Sequence, residues 1–277
     1  MVVNPTYEFD AIGTHWWCEI LDPLAGFTDE LKTAIIGACD QFDARYSRFR
    51  DDSFVAQLAK TGALHRPPHE LIAMLDTAKE MEHVSEGTFT IGVGPALHAF
   101  GYGSRSHGGP VAKNIWQHID YNSARVRIPK GLMLDFGGLG KGWLIDSLVT
   151  ILRHYNVKQF IVNGGGDLYV QSDSPIEFAL EDPYDAAKKI GQTTIANGAL
   201  AASSTIKRTW ASEAGEHHHI IDPATGQSSN TAVVASFVKA KTALLADCMA
   251  TILILRPDLE TVLSQKYGLE TILITQN

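Results

Sequence analysis

The stretch Leu134-Asp135-Phe136-Gly137-Gly138-Leu139-Gly140-Lys141-Gly142 decides how this chain is read. Residues 132–136 read as a short buried strand that empties into a loop with four glycines, and Lys141 then opens a helix over 141–155. Glycines let backbone N–H groups approach an anion, and a helix N-terminus beside Lys141 adds positive potential, so phosphate suits this turn. Two familiar phosphate loops do not fit. In a Walker loop the first glycine would fall on Asp135, and Gly142 follows the lysine in place of Ser or Thr. In GxGxxG, Trp143 would take the third glycine position. A tight strand-to-helix turn with a surface lysine is the plain alternative.

Outward from this turn, strand, loop and helix do not repeat at a regular βαβ period. Upstream, residues 7–21 read as a strand broken at Gly13-Thr14. Leu31, Ile35, Ala38, Cys39 and Phe42 recur at helical spacing and predict an amphipathic helix over 29–46. Leu71, Met74, Leu75, Ala78 and Met81 predict a second over 69–85, stopped by Gly87. Residues 88–109 are glycine-rich and read as loops around one short element. Downstream, 160–163 is a short apolar strand, and alternating strands fill 167–219. The chain finishes with a strand over 233–238, helices over 242–255 and 257–267, and a strand over 271–275. The fold class is therefore α+β: one domain over 1–277, with mixed sheets and packed helices.

The 277 residues carry 31 Asp+Glu against 23 Lys+Arg, a net charge of -8 with no compensating basic block, which argues against nucleic acid and anionic membrane as partners. With 45% apolar and 19% charged residues the chain is globular and not disordered. Cys18, Cys39 and Cys248 are too scattered for a disulfide framework or a metal knuckle and fit reduced thiols in a cytoplasmic protein. The opening residues lack the basic and apolar regions of a signal peptide. The most apolar stretch, 243–255, is shorter than a membrane span and contains Asp247, so no membrane anchor is expected. The unexplained excesses are 24 glycines and 11 histidines.

Three further constellations could carry chemistry. Asn163-Gly164-Gly165-Gly166-Asp167 follows an apolar strand, where consecutive glycines permit either close ligand approach or a hairpin corner. Asp247 and Thr251 stand four apart on an apolar helix, so they share a face, and a buried carboxylate there needs a partner. A carboxylate, a hydroxyl and a backbone carbonyl suit Mg²⁺, although an arginine elsewhere or solvent would also satisfy the Asp. In Glu216-His217-His218-His219-Ile220-Ile221-Asp222-Pro223-Ala224-Thr225-Gly226 no third ligand at zinc spacing is evident. His219 is a candidate general base or a structural anchor for the turn after it. Two Ser/Arg clusters, Tyr46-Ser47-Arg48-Phe49-Arg50 and Ala201 to Arg208, could touch phosphate or a planar ring, or be solvated loops.

Taken in order, these pieces resemble the FAD:protein FMN transferase (ApbE) family. The matching features are Gly13-Thr14, Tyr46-Ser47-Arg48-Phe49 with Ser53, Val93-Gly94-Pro95, and Phe100-Gly101-Tyr102-Gly103. They continue with Asp135-Phe136-Gly137-Gly138 and Lys141-Gly142, Asn163 with Gly165-Gly166-Asp167, and Ser203 with Arg208. The set ends with His219-Ile220-Ile221-Asp222-Pro223, Thr225-Gly226, Ala246-Asp247 and Ala250-Thr251. The chain departs from the family pattern at Ile12, Thr90, Gly92, Ser204, Thr205 and Ala250.

The resemblance implies transfer of FMN from FAD, with AMP as leaving group, onto a Ser or Thr hydroxyl of a partner flavoprotein. It further implies Mg²⁺ held by the Gly138 carbonyl, Asp247 and Thr251, and FAD bordered by Ile12, Phe49, Phe100, Asp135, Lys141, Gly165, Ser203 and Ile221. His219 is then the candidate base, with Asp222 orienting it or contacting the ligand. Two other functions fit the same residues: a Mg²⁺-dependent FAD pyrophosphatase giving FMN and AMP, and a non-catalytic flavin-binding protein.

Overall fold

The structure, a computed structural model, describes residues 4–23, 25–102, 110–212 and 215–276. Residues 103–109 of the expected glycine-rich loop, including Gly103, lie outside the described residues.

Seven strands form the main sheet: β1 (Thr6–Ala11), β2 (Thr14–Ile20), β3 (Phe160–Gly164), β4 (Asp167–Glu181), β5 (Lys189–Ser204), β6 (Val233–Ala240) and β7 (Glu270–Thr275). They lie side by side in chain order, and every neighbouring pair is antiparallel. The helices are inserted at two points of this meander. Between β2 and β3 come α1 (Asp29–Tyr46), α2 (Phe54–Thr61), α3 (His69–Val84), α4 (Gly94–Ala99) and α5 (Gly140–His154). Between β6 and β7 come α6 (Ala243–Leu255) and α7 (Glu260–Tyr267).

Alternation along the strands sends residues to two cores. Trp16, Cys18 and Ile20 of β2, with Phe160 and Val162 of β3, pack on Leu31, Ile35, Leu144, Leu148 and Ile252 of the helices. Ile161, Leu168, Val170, Leu200, Ala235 and Phe237 form a second cluster, joined by Leu180 and Ile195 of the long β4–β5 hairpin. Burial on both faces explains why β3 reads as an unbroken apolar run. α6 is apolar all round because it is enclosed: residues 246–250 and 252–254 are all buried.

The structure departs from the sequence reading in three places. Residues 132–136 are buried but form no strand; Asp135 N–H bonds to the Ile91 carbonyl at 2.8 Å, and the segment joins no ladder. The region 167–219 holds β4 and β5 followed by a separate small hairpin, Thr209–Ser212 with Gly215–His218. α2 was not expected; its eight residues are set by Ser53, which accepts from Ala56 N–H, and by Gly62 at φ 79°. Among the described residues no helix is long and apolar enough to cross a membrane.

Candidate active site

A cavity of about 790 Å³ opens where the turn at 137–141, the start of α5, the α6 face and the ends of β4 and β5 converge. Its most charged corner is built from three elements. Lys141, in the first turn of α5, extends its ammonium to Asp167 at the start of β4 and lies 3.2 Å from Asp247 Oδ1 on α6. Each carboxylate is also fixed by a backbone donor: Ala202 N–H reaches Asp167 Oδ1 at 2.9 Å, and Gly142 N–H reaches Asp247 Oδ2 at 2.9 Å. Burial works against the Lys141 charge, but Asp167 and Asp247 outweigh it and hold its pKa above the ordinary value. Burial pushes the Asp167 carboxyl up; Lys141 draws it back, and the Asp247 charge adds to the rise. Two buried carboxylates meet one ammonium at this corner, and Arg208 lies near enough for its charge to act on Lys141.

Thr251, one turn along α6 from Asp247, places its hydroxyl 3.2 Å from that of Ser203 on β5. Gly138, Asp247 and Thr251, which the resemblance implies for a metal, all line the cavity, as does Ser203. Among the described residues no group of three or more His, Cys, Asp or Glu could hold a metal. What the corner offers is the Asp247 carboxylate and the Ser203 and Thr251 hydroxyls, with Gly138 in the same lining, an oxygen chemistry of the kind that Mg²⁺ takes.

The opposite wall is aromatic and cationic. Arg48 pairs with Asp135 at 2.6 Å, both less than a tenth exposed, and donates to the Tyr102 carbonyl at 2.6 Å. Asp135 also accepts from Gly137 N–H at 2.7 Å, so its carboxylate shapes the glycine turn and holds Arg48. The guanidinium lies over the rings of Phe49, at 4.3 Å, and Tyr102, at 5.0 Å. Phe49 is 61% exposed at the cavity edge. Ile12 and Gly165 form another edge: the β1–β2 turn puts Ile12 at φ 42°, and Gly165 at φ 66° lies against the Thr14 side chain, where a Cβ would come within 3.0 Å.

His219 lies just beyond the small hairpin and lines the cavity. Its Nδ1 is buried with no hydrogen-bond partner among the described residues. Burial, then the Arg208 and Lys141 charges, lower its pKa to about 3, so the ring is neutral at physiological pH.

Of the expected residues, Ile12, Phe49, Asp135, Lys141, Gly138, Gly165, Ser203, His219, Ile221, Asp247 and Thr251 border this one cavity. Two do not. The Phe100 ring stacks on His217 at 4.3 Å in a separate buried cluster, and the Phe100 carbonyl accepts from Trp210 Nε1 at 2.7 Å. The Asp222 carboxylate closes its own turn, accepting from Ala224 N–H at 2.9 Å and the Thr225 hydroxyl at 3.0 Å, so it does not orient His219. Sequence reading missed Asp167 as the partner of Lys141. The available signal was an ionisable residue at the start of a strand buried on both faces.

The antiparallel meander and the helices packed on it bring a lysine caged by two carboxylates, together with two hydroxyls, to one cavity. The sequence model described as the ApbE family matches residues 12–273, and the chain belongs to that family. It is 26% identical over 267 residues to a FAD:protein FMN transferase of Klebsiella pneumoniae (strain 342), covering 90% of this chain and 82% of that protein. With the FAD:protein FMN transferase of Escherichia coli (strain K12) it shares 24% over 294 residues, covering 97% and 83%. The fold superposes on the ApbE protein of Thermotoga maritima with a TM-score of 0.86 at 19% identity, covering 99% of this chain and 94% of that one. For the flavin transferase ApbE of Vibrio cholerae the values are 0.82, 20%, 99% and 95%.

Proposed function

We propose that this protein transfers FMN from FAD onto a Ser or Thr hydroxyl of a partner flavoprotein and releases AMP. The names of its relatives support the reading, and one observation carries it to this chain. Lys141, paired with two buried carboxylates, lines the same cavity of about 790 Å³ as Gly138, Ser203 and Thr251.

The reading assigns each residue a task. Gly138, Asp247 and Thr251 would hold Mg²⁺, which when bound supplies positive charge to the diphosphate. Lys141 supplies positive charge to the same diphosphate, and Phe49 with Tyr102 offers aromatic rings at the cavity edge. The acceptor oxygen forms a phosphoester bond to the FMN phosphorus while the bond to the AMP oxygen breaks. The acceptor proton passes to His219, whose ring lines the cavity. Burial is the first cause of its pKa near 3, and the Arg208 and Lys141 charges are the next two. An anionic diphosphate offsets both, so ligand binding raises the basicity of His219 when it is needed. The three cysteines are free and buried, which fits a cytoplasmic setting.

Co-expression with candidate acceptor flavoproteins, followed by mass spectrometry of the acceptor, tests the proposal. The expected result is an acceptor peptide carrying the mass of FMN on a Ser or Thr. Free FMN with AMP and no labelled peptide would mark a pyrophosphatase instead, and intact bound FAD would mark a passive binding protein.

A further inference from the structure

α5 and α6 meet at their first turns, and the contact leaves no room for a side chain at Gly142. A Cβ there would lie 2.4 Å from the Ala243 carbonyl oxygen and 2.6 Å from Leu244 Cα. Two carboxylates cross this seam in opposite directions. Asp146 of α5 accepts from the N–H groups of Ala243 at 2.9 Å and Leu244 at 3.0 Å, the first two residues of α6. Asp247 of α6 accepts from Gly142 N–H at 2.9 Å. Thr242 caps the same helix by accepting from Leu245 N–H at 3.3 Å, a bond between α6 and its own cap that does not involve α5.

We infer that Asp146 is a positioning residue for the diphosphate and metal corner, an inference that rests on the transferase reading. It does not line the cavity. Gly138 and Lys141 come from the turn and first turn of α5, whereas Asp247 and Thr251 come from α6. The corner exists only when the two helices keep one depth and one rotation relative to each other. Bidentate capping of two successive N–H groups fixes both, because sliding or turning α6 breaks at least one of the bonds. Asp247 is five residues into the helix whose start Asp146 grips, so a shift at the seam is carried rigidly to it.

The test pairs Asp146→Asn with Thr242→Ala in the full-length protein with FAD bound. Asn keeps one acceptor oxygen but turns an NH₂ group towards the second N–H. Thr242→Ala weakens the same helix start without touching α5. Mn²⁺ affinity is read by electron paramagnetic resonance, stability by thermal unfolding, and kcat and KM for FAD by AMP release. We expect Asp146→Asn to weaken Mn²⁺ binding about tenfold or more, as loss of an outer partner does at metal sites. Thr242→Ala should lower Tm yet leave Mn²⁺ affinity unchanged. If Asp146→Asn does not fold, Asp146→Glu, whose longer arm displaces α6, is expected to give the same loss. Equal Mn²⁺ affinity in wild type and the Asp146 variant, or equal losses in the Asp146 and Thr242 variants, would overturn the inference. Failure of the wild type itself to bind Mn²⁺ with FAD present would instead overturn the reading on which it rests.

Discussion

Acidification from pH 8 to pH 5 should destabilise this protein through His219, and His219→Gln should remove that part of the loss. The ring is partly buried near Arg208 and Lys141, and its pKa falls from 6.5 to about 3. The sign follows from where protons go. As pH falls below 6.5 the unfolded chain protonates this histidine while the native state does not, so stability drains away until the pH nears 3. At pH 5 the unfolded ring sits about 1.5 units below its own pKa, which at about 1.36 kcal/mol per unit sets a ceiling of about 2 kcal/mol. Partial solvent access at the cavity reduces this to ~1–2 kcal/mol. His218, also depressed by burial, is present in both proteins and cancels in the comparison. Urea unfolding at the two pH values measures the effect: the variant should lose ~1–2 kcal/mol less than wild type between them. Equal losses would refute the placement of a neutral, cation-flanked His219 in the cavity wall.

Other consequences are equally direct. His219→Ala should lower transfer far more than it lowers FAD binding, measured by flavin fluorescence; unchanged turnover would remove His219 as the base. Asp247→Ala should abolish Mg²⁺-dependent turnover, by more than the roughly 100-fold upper range for losing an outer partner, and a fully active variant would dismiss the metal assignment. Arg48→Met strands the buried Asp135 carboxylate and should cost about 3–5 kcal/mol in urea unfolding, with part of it recovered in the Arg48→Met/Asp135→Asn double variant. No loss in the single variant would contradict the buried pair.

How much of this was legible in the sequence depends on the range of the interaction that decides each feature. α1, α3 and α5 follow from local periodicity, and β3 follows from an apolar run closed by glycines. The meander order does not, because alternation says which face a residue takes and nothing about which strand lies beside it. Residues 132–136 illustrate the difference: Leu132, Leu134 and Phe136 are apolar and buried as in a strand, but no neighbouring strand pairs with the segment. At the site, Asp247 and Thr251 were readable because their four-residue spacing fixes a shared helix face. The Lys141 cage was not, since Asp167 and Asp247 lie 26 and 106 residues away along the chain. Asp222 and Phe100 show the converse. Each matches the family pattern, and local contacts decide where it sits: the Asp222 carboxylate closes its turn, and the Phe100 ring stacks on His217.

The most direct test of the account counts two products of one reaction. Purified protein is incubated with Mg²⁺, an acceptor flavoprotein and FAD labelled separately in its AMP and FMN halves, and the acceptor is then denatured and washed. One FMN should be retained covalently on the acceptor for each AMP released, and no AMP should appear when the acceptor's target hydroxyl is removed. AMP released at the same rate without acceptor, with all the FMN free in solution, would contradict it.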